Sequence, residues 1–162
     1  MDIANLLDFR YWVLLHILGV AIFLAAHGVS MWVAFQVRGE RDRTRIESLL
    51  QLSGSSVRGM YIGLLVLIVG GVLAGFAEGV WGFGWVWTAI ALLVMISVVM
   101  LTVAAPYYRR VKEAVKVRPS GVPRKSDEEL DEILHESAPM VSAGLGVIAL
   151  VAILWLMVWK PF

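Results

Sequence analysis

The chain has 162 residues, 59% of them hydrophobic and 17% charged, with a mean hydropathy of +0.78 and a net charge of +1. A soluble domain of this size is ~45–50% apolar and ~25% charged, so the excess apolar surface points to a bilayer as solvent. The near-zero net charge excludes a broad basic field for nucleic acid, and the lack of cysteine excludes disulfides, iron–sulfur clusters and thiolate metal sites.

Four apolar stretches, each near or above the ~20 residues that cross a hydrocarbon core, follow in order: about 11–37, 60–77, 83–105 and 140–159. The first holds no Asp, Glu, Lys or Arg. It is too long for a cleavable signal and has no basic leader, since Asp2 and Asp8 precede a lone Arg10. Ile3 to Phe9 ahead of it reads as an interfacial turn. Segment 38–59 reads as a loop in which Thr44-Arg45-Ile46-Glu47 forms a capping box before Leu49, Leu50 and Leu52. The second span carries Gly71, Gly75 and Gly79, a stripe that lets another helix approach closely. Small residues on the first span (Ala21, Ala25, Gly28) and the fourth (Ala143, Gly144, Gly146) offer matching faces. A short turn at Glu78–Gly82 leads into the third span, which Pro106 ends or kinks.

Segment 106–139 reads as the second long loop. Within it, Arg118-Pro119-Ser120-Gly121-Val122-Pro123 is a turn or linker. Ser126-Asp127-Glu128-Glu129 is a capping box that opens an acidic helix with Leu130, Ile133 and Leu134 on one face. Pro139 suits the first turn of the fourth span.

Charge sets the orientation. Arg38, Arg41, Arg43, Arg45 and Arg58 lie in the first long loop; Arg109, Arg110, Lys112, Lys116, Arg118, Arg124 and Lys125 lie in the second. Only Arg10 and Lys160 remain for the other side. The positive-inside rule then places both loops in the cytoplasm and both termini outside. Tyr11, Trp12, Trp81, Trp85, Trp87, Trp155 and Trp159 fall at the outer ends of the spans, as an aromatic belt should. The expectation is one transmembrane domain over 1–162, an all-α antiparallel four-transmembrane-helix bundle, N-out/C-out.

Two of the three histidines, His16 and His27, lie inside the first span. Eleven residues of ideal helix leave them within about 20° of one face and about 16 Å apart in rise. An ionisable residue within a span is a functional candidate by default, because burying it costs free energy. Two imidazoles on one face at two depths resemble what a two-haem relay uses, which makes His16 and His27 the candidate cofactor ligands and metal ligands, and haem b the candidate cofactor. Two bis-histidine haems would need four histidines, and the third, His135, lies in the acidic segment. Methionine can replace histidine on haem, and Met157 lies at about the depth of His16. The structural alternative makes His16 an interfacial residue and has His27 bonded to Ser97, Thr102 or a backbone carbonyl. Histidine and methionine also suit copper, although no tight Met-x-x-Met or His-x-His cluster occurs. Glu78 reads as a solvated interfacial carboxylate and His135 as a surface histidine. The chain shows no inverted repeat, Ser–His–Asp constellation or phosphate loop.

Trp12-Val-Leu-Leu-His16-Ile-Leu-Gly19, the arginine-rich loop, the glycine-rich second span and a tryptophan-led third span ending Ala105-Pro106-Tyr107-Tyr108-Arg109-Arg110 together make a pattern. It is similar to a family of uncharacterised bacterial four-helix membrane proteins grouped with the copper-resistance D proteins. That resemblance covers most of residues 10–160 and implies the bundle and a bacterial inner (plasma) membrane. Leu15-His16-Ile17 also resembles the membrane-bound protoporphyrinogen oxidase that carries haem b, in which a histidine in this context matters. That family carries a lysine within a later span, and no span has one here. The concrete expectation is a haem-b-binding electron-transfer subunit. The alternatives are a non-catalytic scaffold or complex subunit, with membrane or cytoplasmic protein partners besides the lipid bilayer, and copper handling at the outer face.

Overall fold

The computed structural model describes residues 8–162, so the interfacial turn expected over Ile3 to Phe9 lies almost wholly outside the described residues. The described chain is helical apart from short connections: α1 (Phe9–Gly39), α2 (Arg43–Glu78), α3 (Gly84–Val99), α4 (Ala105–Val115), α5 (Asp127–Leu134) and α6 (Ala138–Trp159). Four helical runs are long and apolar enough to cross a membrane, α3 and α4 forming one and α5 with α6 another.

The helices outrun the apolar stretches that mark them. Hydropathy records where a helix would leave lipid, whereas the backbone ends where its capping groups are. Residues 38–59, expected as a loop, are helical except for a three-residue connection. Asp42, not Thr44, caps α2: its side chain accepts the Thr44 N–H at 2.8 Å. Asp is as good a cap as Thr, and it stands where the backbone is still extended. Pro106 likewise does not end the third span. A wide-turn segment, Met100–Ala104, precedes it, with the Ala105 N–H donating five residues back to Met100. The extra residue in that turn absorbs the missing proline N–H and the ring's clash with the preceding turn, so the helix continues. Ser126 and Glu129 form the expected reciprocal capping box on α5.

Packing follows two hairpins. α1 and α2 lie together along most of their length, and α3 packs on α6; within the apolar region the hairpins meet only lightly. The α1–α2 seam is set by Gly19, Gly63 and Gly70. A Cβ on Gly63 would lie 2.5 Å from the Phe23 nitrogen, and one on Gly70 2.5 Å from the His16 nitrogen. Lipid tails supply no hydrophobic drive between helices, so this backbone approach is what holds the pair. The stripe Gly71, Gly75 and Gly79 is therefore not the helix–helix seam. Gly71 faces the His16 ring, Gly75 faces the Trp81 ring, and Gly79 ends α2 with φ 69°. At the tryptophan end, Trp85, Val86 and Ala89 of α3 pack on Leu156 of α6.

The end that carries the arginines and lysines is built differently. Val33 and Val37 of α1, Ile46 of α2, Tyr107, Val111, Ala114 and Val115 of α4, and Leu130 and Leu134 of α5 form one buried cluster. The face of α5 expected from Leu130, Ile133 and Leu134 is the face that packs here.

Candidate functional site

His16 stands on α1 against Gly70, at one of the close approaches of α2. Its Nδ1 lies 2.8 Å from the carbonyl oxygen of Leu67, 51 residues away on α2. A carbonyl can only accept, so Nδ1 carries a proton, and in the neutral ring Nε2 is the nitrogen with the free lone pair. Access to that carbonyl depends on glycine. Residue 71, one turn on, overlies the Leu67 carbonyl, and a Cβ there would lie 2.8 Å from His16 Nδ1. Gly70 admits the His16 backbone and Gly71 admits its ring.

His27 has different neighbours. Its ring stacks on Phe23 with centroids 5.9 Å apart. Nε2 lies 3.8 Å from the place a Cβ would take on Gly146 of α6, with Ile96 of α3 on the same side. Nδ1 is buried without a hydrogen-bond partner. Ser97 and Thr102 do not supply one, since each hydroxyl donates to a carbonyl of its own helix, Leu93 and Val98 respectively. The two histidines therefore do not share a surroundings, although an ideal wheel puts them on one face. The α1–α2 seam runs through His16, Gly19, Phe23, Ala26 and Ser30, a spacing of three and four. Against such a 3.5-residue repeat, eleven residues drift by about 50°. His27 thus leaves the seam and turns toward α6.

The other sequence candidates lie apart. Met157 packs with the Trp85 cluster between α3 and α6. His135 is exposed at the basic end, with Nδ1 2.9 Å from the Asp131 carbonyl. Glu78 lies 3.6 Å from Lys160. Among the described residues, no three His, Asp or Glu side chains gather as a metal cluster. A family model matches residues 10–161, nearly the whole described chain. The chain belongs to the DUF2269 family of predicted integral membrane proteins. This agrees with the membrane protein expected from the sequence. No curated protein and no solved structure matches the chain.

Two arginines have roles that charge counting could not assign. Arg43 is partly buried despite its charge. Nη1 donates to the Ala114 carbonyl at 2.8 Å, Nη2 to the Lys125 carbonyl at 2.9 Å, and Nη2 also meets Asp127 Oδ1 at 2.6 Å. It joins the end of α4, the turn beyond it and the start of α5. Arg38 donates to the carbonyls of Glu136 and His135 at 2.7 and 3.2 Å, satisfying the open C-terminal end of α5. Their only sequence signal is position, since each sits beside the three-residue α1–α2 connection.

Proposed function

We propose that the protein is a redox subunit of a bacterial plasma membrane that holds b-type haem through His16, with His27 as a second candidate ligand at another depth. The observation that supports this is the bond from His16 Nδ1 to the Leu67 carbonyl. Ligating histidines ordinarily donate their other ring N–H to a carbonyl or carboxylate, which fixes the tautomer and orients the metal-binding nitrogen. One proximal imidazole suffices to hold haem, so His16 needs no second histidine from this chain. The unpartnered Nδ1 of His27 marks a second polar atom inside the bilayer that the fold leaves unused. When bound, haem would supply the one-electron couple; the residues here would hold and orient it. By the positive-inside rule, the basic end faces the cytoplasm and His16 lies in the outer half of the membrane.

The deciding experiment is a reduced-minus-oxidised spectrum with a pyridine haemochrome assay on protein expressed with haem supplied. A b-type spectrum that is lost in His16→Ala supports the reading. Gly71→Ala, which pushes the ring off its carbonyl, should weaken haem retention without removing the ligand. A colourless protein rejects it. Copper in the colourless protein would shift the reading to copper handling at the outer face. Neither haem nor copper, with co-purifying proteins, would favour a scaffold. The scaffold reading has its own support in the closed, hydrogen-bonded basic end, a rigid surface on which a partner could dock.

A further inference from the structure

At the basic end, a cleft of about 930 Å³ opens beside the point where α4 leaves the apolar region. Pro106 stands at its membrane side, and Arg109, Arg110, Arg118, Arg124 and Lys125 line it with a single carboxylate, Glu113. Three of these cations have acidic neighbours: Arg110 with Glu136 at 2.5 Å, Arg124 with Glu113 at 2.9 Å and Lys125 with Glu129 at 2.8 Å. Arg109 and Arg118 have no carboxylate partner among the described residues.

The cleft is a built feature of the fold. Its wall is a tight finger between α4 and α5, in which the Gly121 N–H bonds the Arg118 carbonyl at 2.9 Å and the Arg118 N–H bonds the Val122 carbonyl at 2.8 Å. The Arg124 N–H bonds the Lys116 carbonyl at 3.0 Å, closing the base of the finger. Gly121 takes φ 80°, a conformation that glycine adopts without strain. The finger therefore returns Arg118 and Arg124 toward Arg109 and Arg110 on α4. Arg43 fixes the same finger from beneath through the Lys125 carbonyl.

We propose that this cleft binds the headgroup of an anionic phospholipid. Guanidinium groups match phosphate oxygens in a two-pronged geometry. The exposed ion pairs already present are weak and can exchange partners for a phosphate. The place of the cleft decides for a lipid over a soluble phosphate. Pro106 and Arg109 lie one and two helical turns beyond the exposed Leu101 and Thr102 of the third spanning run, at the level where headgroups would meet the hydrocarbon. Pro106, Ala114 and Ile133 give the cleft an apolar floor, which a free phosphate would not use.

The test is native mass spectrometry of the full chain released from nanodiscs that contain equal phosphatidylglycerol and phosphatidylcholine. The protein should retain phosphatidylglycerol selectively. Each cation near the membrane contributes roughly five-fold to such binding, so the double variant Arg109→Gln/Arg118→Gln should lower retention at least ~10-fold. Both side chains are outside the ion pairs and the buried cluster, so the fold should persist. The charge-matched variant Arg41→Gln/Arg45→Gln, at the same end but outside the cleft, should retain the lipid. Equal retention of the two lipids, or equal loss in both double variants, would overturn the proposal. So would competition by millimolar inorganic phosphate that displaces the lipid completely, which would make the ligand a soluble phosphate.

Discussion

The basic end and the membrane-embedded body of this protein are held together by different physics. At the basic end, four helices bury an aliphatic and aromatic cluster of the kind found inside water-soluble proteins, and charged side chains bond carbonyls between elements. In the body, only 11% to 17% of the apolar core of each spanning run is buried within the protein. There, glycines at the α1–α2 seam bring backbones together, and apolar area alone contributes little. The same residue type should therefore have different energetic weight in the two regions.

The largest contrast should come from truncating isoleucine. Ile46, fully buried at the basic end, should lose about 2–5 kcal/mol on mutation to alanine, read as unfolding free energy in mixed micelles. Ile148, exposed on α6, touches lipid whether or not the helices associate, so Ile148→Ala should change stability by less than ~0.5 kcal/mol. Equal losses at both positions would mean that α6 carries a hidden interface. Glycine reverses the pattern. Gly63→Val places a branched side chain against the Phe23 backbone, which cannot move aside, and should cost at the top of the ~1–3 kcal/mol range for overpacking. Gly28→Ala meets nothing within 4 Å and should be neutral, or stabilising by up to ~1 kcal/mol through helix propensity. Thermal melting with fluorescence-detected gel filtration separates these two outcomes.

The sequence reveals the body better than the cap. Length and hydropathy locate the four spans, because exclusion from water acts on each segment by itself. Ser126 and Glu129 announce α5, because both halves of their bond are local. By contrast, the α1–α2 seam lies on Gly63 and Gly70, seven residues apart, while the more visible four-residue spacing of Gly71, Gly75 and Gly79 serves a ring, another ring and a helix end. Which glycine meets which helix depends on a neighbour that periodicity does not name. The same holds for Arg43, whose partners lie 71 to 84 residues away. For the candidate site, the intramembrane imidazoles are visible from composition, but the Leu67 carbonyl behind His16 and the missing partner of His27 are not.

Arg43 offers the next effect in size. Arg43→Ala removes four charge-assisted bonds, two of them to Asp127, leaves the Ala114 and Lys125 carbonyls unpaired, and should cost about 1.5–3 kcal/mol. Hydrogen exchange should speed up across 114–134 and stay unchanged in α3 and α6. If the whole chain exchanged faster, the cap would be holding the body together rather than standing beside it.

The smallest effect is a pH dependence confined to the cap. The Lys116 ammonium, hydrogen-bonded to Glu113 with Arg124 beside it, holds that carboxyl below its usual range. Lys125 and the Ser126 N–H do the same for Glu129, and the Asp42 and Arg41 N–H groups for Glu40. All three pKa values are lower in the folded state than in the unfolded one, so the unfolded chain binds protons first as the pH falls. The stabilisation is then present in full above the unfolded value near ~4.3, declines as the pH drops through it, and is gone below the folded values. Acidification from pH 7 to about 3.5 should loosen the finger and α5 while the membrane-embedded helices, whose one carboxylate pair among the described residues is Glu78–Lys160 at the opposite end, keep their helicity. Circular dichroism alongside hydrogen exchange over 116–134 tests this. Simultaneous loss of both signals would show that the two regions unfold as one unit, and the difference between them would then be one of construction alone.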